Sequence, residues 1–289
     1  MKNIFLVLFT SMLVFNLKSQ ESIVKNVELV SIGPSIMSGR VVDLDVNPDN
    51  PIEFYVAYAS GGLWYTNNNG TSFTPVMDSS PTQNIGDIAV DWKNGTIWVG
   101  TGESNSSRSS YAGIGVLKST DKGKTWINVG LTDSHHIGGI LINPDNTDEV
   151  VVGVIGHLYT PNAERGVFKT TDGGKTWSNT LFINENTGII DMTMVPGNFN
   201  IMFASAWQRT RKAWNFEGSG ADSGIYKSTD GGGSWSKISE EKSGFPTGKG
   251  LGRIGVAAFD EQTVYAILDN QFHREKEKGK EEDTDKLKK

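Results

Sequence analysis

Four stretches of this chain repeat one another, and no other feature restricts its fold so sharply. They are Thr66-Asn67-Asn68-Asn69-Gly70-Thr71-Ser72-Phe73, Ser119-Thr120-Asp121-Lys122-Gly123-Lys124-Thr125-Trp126, Thr170-Thr171-Asp172-Gly173-Gly174-Lys175-Thr176-Trp177 and Ser228-Thr229-Asp230-Gly231-Gly232-Gly233-Ser234-Trp235. Each follows a short apolar run opened by glycine, at Gly62, Gly115, Gly166 and Gly224. The equivalent Asn68, Asp121, Asp172 and Asp230 are 53, 51 and 58 residues apart. A fixed period near fifty residues indicates one supersecondary unit used repeatedly, and it suits a unit of four short strands.

Period-2 alternation rich in β-branched and aromatic residues allows each unit to be drafted. In the first, strands are expected at Val41 to Val46, Glu53 to Ala59, Gly62 to Thr66 and Ser72 to Met77. Ile88 to Trp92, Gly139 to Ile142 and Ile189 to Met194 open the next three units. Gly252 to Phe259 and Thr263 to Leu268 begin a fifth. The 34 glycines and 8 tryptophans fit many short strands joined by tight turns. The fold expected is all-β: a propeller of about four and a half blades within residues 21–272, its ring incomplete. Val27 to Ile32 is expected to be a strand closing the last blade. After Asn270 the alternation stops, and residues 273–289 read as a charged disordered tail or a truncated insertion.

The repeated motif carries its own local chemistry. Its Asp or Asn can accept backbone N–H groups across a hairpin, as Asx-turns do, and its glycine supplies positive φ. The hydroxyl adds a bond, and Trp126, Trp177 or Trp235 packs beneath the turn. Every unit carries a copy whereas catalysis needs one site, so Asn68, Asp121, Asp172 and Asp230 read as structural staples rather than as catalytic or metal-binding groups.

These motifs, with the turns at Asn47-Pro48-Asp49-Asn50 and Asn143-Pro144-Asp145-Asn146, resemble the BNR/Asp-box β-propeller superfamily. The likeness is closest to secreted bacterial proteins with a sortilin N-terminal-like propeller, often labelled glycosyl hydrolases from the repeat alone. It covers about residues 30–270. The superfamily includes sialidases, xyloglucan-cleaving hydrolases, photosystem assembly factors and sortilin-type receptors, so the resemblance implies the fold and leaves the activity open. Sialidases carry a Phe/Tyr-Arg-Ile-Pro segment that nothing here matches. Xyloglucan-cleaving enzymes place a catalytic Asp just before the Gly-Gly of the first blade, where this chain has Tyr58-Ala59-Ser60 and no carboxylate.

Propeller topology puts the loops between second and third strands, and those between blades, on one face, and functional groups concentrate on such loops. The candidate ligand-binding residues are Glu103, Arg108, His157, Trp207, Arg209 and Trp214, a mixture that suits sugar rings or a peptide. Arg40 and Arg253, at equivalent starts of innermost strands, are expected to pair with Asp87 or Asp191. The function expected is a binding or interaction module for a glycan or a polypeptide. The alternative is a glycoside hydrolase using two among Glu103, Glu164, Glu217 and Asp222, since inverting hydrolysis needs two carboxyl groups about 6.5–9.5 Å apart. No phosphate loop, nucleophile elbow or His-Glu-x-x-His helix is present, and no cofactor is expected. His135-His136 is a poor metal pair, because adjacent residues point apart.

The first twenty residues read as a signal peptide: Lys2, then an apolar stretch from Ile4 to Leu17, then Ser19 and Gln20. No membrane span is expected after its cleavage, and the protein is placed outside the cell or in the periplasm or envelope. Cysteine is absent, which excludes disulfides and thiolate chemistry. A net charge of −6 without a basic face argues against nucleic acid as a partner.

Overall fold

The computed structural model describes residues 39–272. The expected signal peptide, the strand at Val27 to Ile32 and the charged tail lie outside them. Within the described residues, strands are joined by turns, and the only helical element is a three-residue 3-10 turn at Glu241–Ser243.

Four antiparallel sheets of four strands follow one another along the chain. The first contains β1 (Val41–Val46), β2 (Phe54–Tyr58), β3 (Gly62–Thr66) and β4 (Thr74–Pro75). The second contains β5 (Ile85–Asp91), β6 (Thr96–Thr101), β7 (Val116–Ser119) and β8 (Ile127–Asn128). The third contains β9 (Ile137–Ile142), β10 (Val150–Val154), β11 (Gly166–Thr170) and β12 (Ser178–Leu181). In the fourth, β13 (Thr187–Val195) and β14 (Asn198–Gln208) pair with each other, and β14 also pairs with β17 (Gly224–Ser228), which is followed by β18 (Ser236–Lys237). A small hairpin, β15 (Thr210–Arg211) with β16 (Phe216–Glu217), is inserted between β14 and β17. A fifth unit holds β19 (Leu251–Ala258) and β20 (Val264–Asn270). The first strands β1, β5, β9, β13 and β19 pack on one another in sequence. This is a β-propeller of four complete blades and half of a fifth, and the described residues do not close the ring.

The core lies between consecutive blades. Successive side chains of a strand point to opposite faces of its sheet, and in an inner blade both faces meet a neighbour. Val150, Val152 and Val154, with Ile137 of the same blade, therefore pack with Trp98 and Val116 of the second blade, while Val151 joins Ile189, Met202 and Ala204 of the fourth. All five residues of β10 are buried as a result. At the outer ends of the stack this cover is missing: Val41 and Leu44 of β1 and Tyr265 and Ile267 of β20 are exposed.

Each repeated motif folds as a hairpin tip between third and fourth strands. In the third blade Thr170 Oγ1 and Thr176 N–H donate to Asp172 Oδ1 (2.8 and 2.9 Å), and Thr176 Oγ1 donates to Oδ2 (2.6 Å). Asp121 and Asp230 hold the same three bonds. Asn68 accepts from Thr66 Oγ1 and Ser72 N–H, but its amide must donate to the Ser72 hydroxyl (2.8 Å) where a carboxylate would accept. The tip needs two successive residues at positive φ. Gly173 and Gly174 (74° and 91°) supply them in the third blade, and Lys122 and Gly123 (62° and 86°) in the second.

Blades are also tied to one another near their first strands. Asp43 Oδ2 accepts the N–H of Ile88, Asp87 Oδ2 that of Ile140, and Asp191 Oδ2 that of Val256, at 3.2, 2.6 and 2.9 Å. Each of these Asp residues follows a register shift in its own strand. Asp45 accepts from the Val90 amide and the Trp92 indole.

Candidate functional site

Antiparallel alternation puts the β6–β7, β10–β11 and β14–β17 connections, and those between blades, at the opposite end of the strands from the hairpin tips. The longest, from β14 to β17, builds a cleft of ≈ 330 Å³ lined by Gln208, Arg209, Thr210, Glu217, Ser219, Gly220, Ala221, Asp222 and Lys249. Its walls are fixed by local bonds. Gln208 N–H donates to Ser223 Oγ (3.0 Å), Asp222 N–H to Gln208 Oε1 (3.0 Å) and Asn184 Nδ2 to Asp222 Oδ2 (3.0 Å). On the β15–β16 hairpin, Arg211 stacks over Phe216 at 4.4 Å, and Trp214 stands at the tip, 84% exposed.

The six candidate residues separate into three groups. Trp214 and Arg108 are open to solvent. Trp207 is the penultimate residue of β14 rather than a loop residue. It is buried against Ile155 and Ile190, with its indole N–H donated to the Gly218 carbonyl (2.7 Å), so it props the loop from beneath. Arg209 is also buried and gives its Nη atoms to the carbonyls of Gly156, His157 and Leu158, each at 3.3 Å. Of the six, only Arg209 lines the cleft. Glu103 is buried and ion-paired with Arg40. His157 bonds Asp133 Oδ1 through Nε2 (3.0 Å) and Thr160 Oγ1 through Nδ1 (2.8 Å).

The expected pairing of Arg40 and Arg253 with Asp87 or Asp191 needs correction. Arg40 takes Glu103 instead. Arg253 gives its hydrogen bond to Asn105 Oδ1 (2.9 Å), although its charge also acts on Asp191. Both arginines thus reach the β6–β7 connection, which carries residues 102–115 across to other blades.

Sequence reasoning missed Arg165. It is fully buried and donates to the carbonyls of Ile155 (2.7 Å), His157 (2.8 Å) and Thr160 (3.0 Å). Burial lowers its pKa to about 10, and burial with the Arg165 and Arg211 charges lowers that of Arg209 to about 9, so both stay cationic at neutral pH. Two guanidiniums holding a run of carbonyls explain how the β10–β11 loop keeps its shape without regular structure. His136 lies beside them, and burial together with the Arg209 charge pushes its pKa down to about 3, leaving it neutral. The adjacent pair diverges: the rings of His135 and His136 are 6.4 Å apart and nearly perpendicular, while His135 stacks on His157 at 3.7 Å.

Of the four carboxylates considered for hydrolysis, Glu217 and Asp222 share the cleft. Glu103 is occupied by Arg40. Glu164 sits by Asp133, where burial raises its pKa.

A family model described as Sortilin-Vps10 (sortilin, neurotensin receptor 3) matches residues 115–285, more than half of the chain. A probable oligoxyloglucan-reducing end-specific xyloglucanase of Neosartorya fischeri is 26% identical over 151 residues, 46% of this chain and 16% of that protein. Among solved structures, an ancestral GH74 enzyme superposes with a TM-score of 0.58 at 17% identity, over 82% of this chain and 30% of its own. YCF48 bound to D1 peptide superposes with a TM-score of 0.50 at 12% identity, over 84% of this chain and 65% of its own. The chain therefore spans a minor part of the xyloglucanase and of the GH74 enzyme. At these identities the structural likeness establishes the propeller fold. No helix among the described residues is long and apolar enough to cross a membrane.

Proposed function

The chain belongs to the Sortilin-Vps10 family, and from that membership we propose that it is an interaction module recognising a glycan or a polypeptide on the loop face of the fourth blade. One observation carries this reading: Trp214 is held almost fully exposed on the same β14–β17 connection whose polar groups line the cleft. Exposing an indole to water costs hydrophobic free energy that a protein recovers when a ligand covers the ring. A sugar ring or an apolar peptide side chain can lie on the indole while Glu217, Asp222 and Lys249 meet hydroxyls or main-chain amides. The names of the similar proteins include both a glycan-cleaving enzyme and a peptide-bound propeller, which supports keeping both ligand classes.

Calorimetric screening of soluble polysaccharides and peptides tests the reading. A ligand that binds should lose about tenfold or more in affinity on Trp214→Ala, about 1.4 kcal/mol, with the melting temperature unchanged. Equal affinity for the variant would remove the indole from the site.

A second reading rests on Glu217 and Asp222 lining one cleft, where paired carboxylates can serve glycoside hydrolysis. Release of reducing sugar from a polysaccharide, abolished by Glu217→Gln and by Asp222→Asn, would establish it. We also propose export through residues 1–20, tested by N-terminal sequencing of the protein recovered outside the cytoplasm.

A further inference from the structure

We propose that Asp133, His135 and His157 bind one borderline divalent transition-metal ion, of which Zn²⁺ is the type, at the loop end of the third blade. One ligand atom from each of the three residues lies within 4.8 Å of the other two. Bonds of about 2.1 Å in tetrahedral geometry put ligand atoms roughly 3.4 Å apart, so the three groups must draw together by about an ångström or more to close on an ion. Two imidazoles and one carboxylate suit Zn²⁺, Ni²⁺ or Cu²⁺ rather than Ca²⁺ or Mg²⁺, which take oxygen ligands. Three protein ligands leave at least one position for water or an external ligand, and the Asp133 side chain is 59% exposed.

Three features make this arrangement more than a chance meeting of polar side chains. His135 is held at φ 53°, a left-handed conformation uncommon outside glycine, which brings its ring to 3.7 Å from His157; the rings are near-parallel, so the His135 ring must turn out of this stack for both nitrogens to aim at one ion. The His157 ring is already oriented: Thr160 Oγ1 holds Nδ1 at 2.8 Å, leaving Nε2 facing Asp133 Oδ1 at 3.0 Å. This is the outer-shell fixing usual for a ligating imidazole, and a metal would replace the link between Nε2 and the carboxylate. Asn162 Nδ2 fixes the Asp133 loop by bonding its carbonyl at 2.8 Å. Glu164 lies beside Asp133 and carries a buried oxygen lacking a hydrogen-bond partner. The site spans the β8–β9 and β10–β11 connections, so a bound ion would add a clamp to two loops already joined by the His157–Asp133 and Asn162–Asp133 hydrogen bonds.

The test is calorimetric titration of Zn²⁺ into the EDTA-treated full chain. One ion per chain should bind, and equimolar Mg²⁺ should not compete. Outer-shell changes alone typically cost about 10–100-fold in affinity, so His135→Ala and His157→Ala should each cost no less. His273→Ala should leave the affinity unchanged. Should a histidine variant fail to fold, footprinting of the unaltered protein with diethyl pyrocarbonate gives a second reading: Zn²⁺ should protect His135 and His157 together. Absence of stoichiometric binding, binding indifferent to both histidine variants, equal competition by Mg²⁺, or no protection of the two rings would each overturn the proposal.

Discussion

Trp177 of the third blade donates its indole N–H to the carbonyl of Val129 at the edge of the second, at 2.7 Å. Trp126 does the same to Val76 of the first blade (3.0 Å), and Trp235 reaches the Thr180 hydroxyl of the third (3.2 Å). In the second, third and fourth blades the tryptophan that ends the motif therefore ties its own hairpin to the preceding blade. Replacing Trp177 by Phe keeps an aromatic ring and strands a carbonyl. A net loss of about 1 kcal/mol lowers the melting temperature by roughly 2–4 °C in a unit of this size. Trp235→Phe should cost less, because its bond is longer and its partner is a hydroxyl that can turn to water. Thermal unfolding of the two variants side by side checks the order.

Asn68 performs the role of the motif aspartate with one bond reversed, which sets a graded expectation for Asp172. Asp172→Asn should lower the melting temperature by less than Asp172→Ala, because the amide keeps the acceptor for Thr170 and Thr176 N–H. Alanine removes all three bonds at once. Both variants should leave ligand affinity intact, since the hairpin tips lie at the strand ends opposite the loop face. A melting series run with the binding assay separates the two effects.

Lys122 occupies a left-handed position, φ 62°, that glycine fills as Gly173 and Gly231 in the third and fourth blades. A left-handed conformation costs a side-chain-bearing residue roughly 1–2 kcal/mol, while glycine adds freedom to the unfolded chain and returns part of that gain. Lys122→Gly should therefore raise the midpoint of urea unfolding without changing its slope. A lower midpoint would mean that contacts of the Lys122 stem outweigh the backbone.

Acid stability should pass through a maximum, because two sets of aspartates shift in opposite directions. Burial, against the Trp92 and Val90 donors, raises the pKa of Asp45 from 3.8 to about 6, and burial with the Asp43 charge raises that of Asp87 well above the usual range. For a raised folded-state pKa the stabilisation is fully present below 3.8 and is lost as pH rises through about 6. Asp121 runs the other way. The Thr125 hydroxyl and amide and the Ser119 hydroxyl lower its pKa to about 2, so its contribution is present above 3.8 and is lost as pH falls through about 2. Melting temperatures should rise from pH 7 towards pH 5 and fall again below pH 4. Asp45→Asn should flatten the upper limb alone.

Much of the architecture could be read from the sequence because its causes are local. A motif such as Thr170 to Trp177 contains the donors, the acceptor and the glycines of its own turn, and the alternation within Val41 to Val46 marks a strand whatever surrounds it. The limits of strands were less visible. The run from Ile201 through Trp207 is interrupted only by Ser205, and carried to its end it would have placed Trp207 in β14 and under the loop. The outer strands β4, β8 and β18 are only two residues long, whereas the equivalent β12 runs to four, a difference their sequences do not announce.

The sequence by itself determined the repeat, the blade and the turn chemistry, since each depends on groups within about a dozen residues. Only the tertiary structure decided which polar side chains are committed to the scaffold and which are left for a ligand. Arg40 meets Glu103, Arg253 meets Asn105, and Asp133 and His135 meet His157 across gaps of 63, 148, 24 and 22 residues. Those separations are set by how many residues each blade and loop contains before the chain returns to the same end of the stack. Buried guanidiniums such as Arg165 and Arg209 must find acceptors there, because an unpaired buried charge costs more than a fold this size can spare. Composition names the residues, and packing assigns their partners.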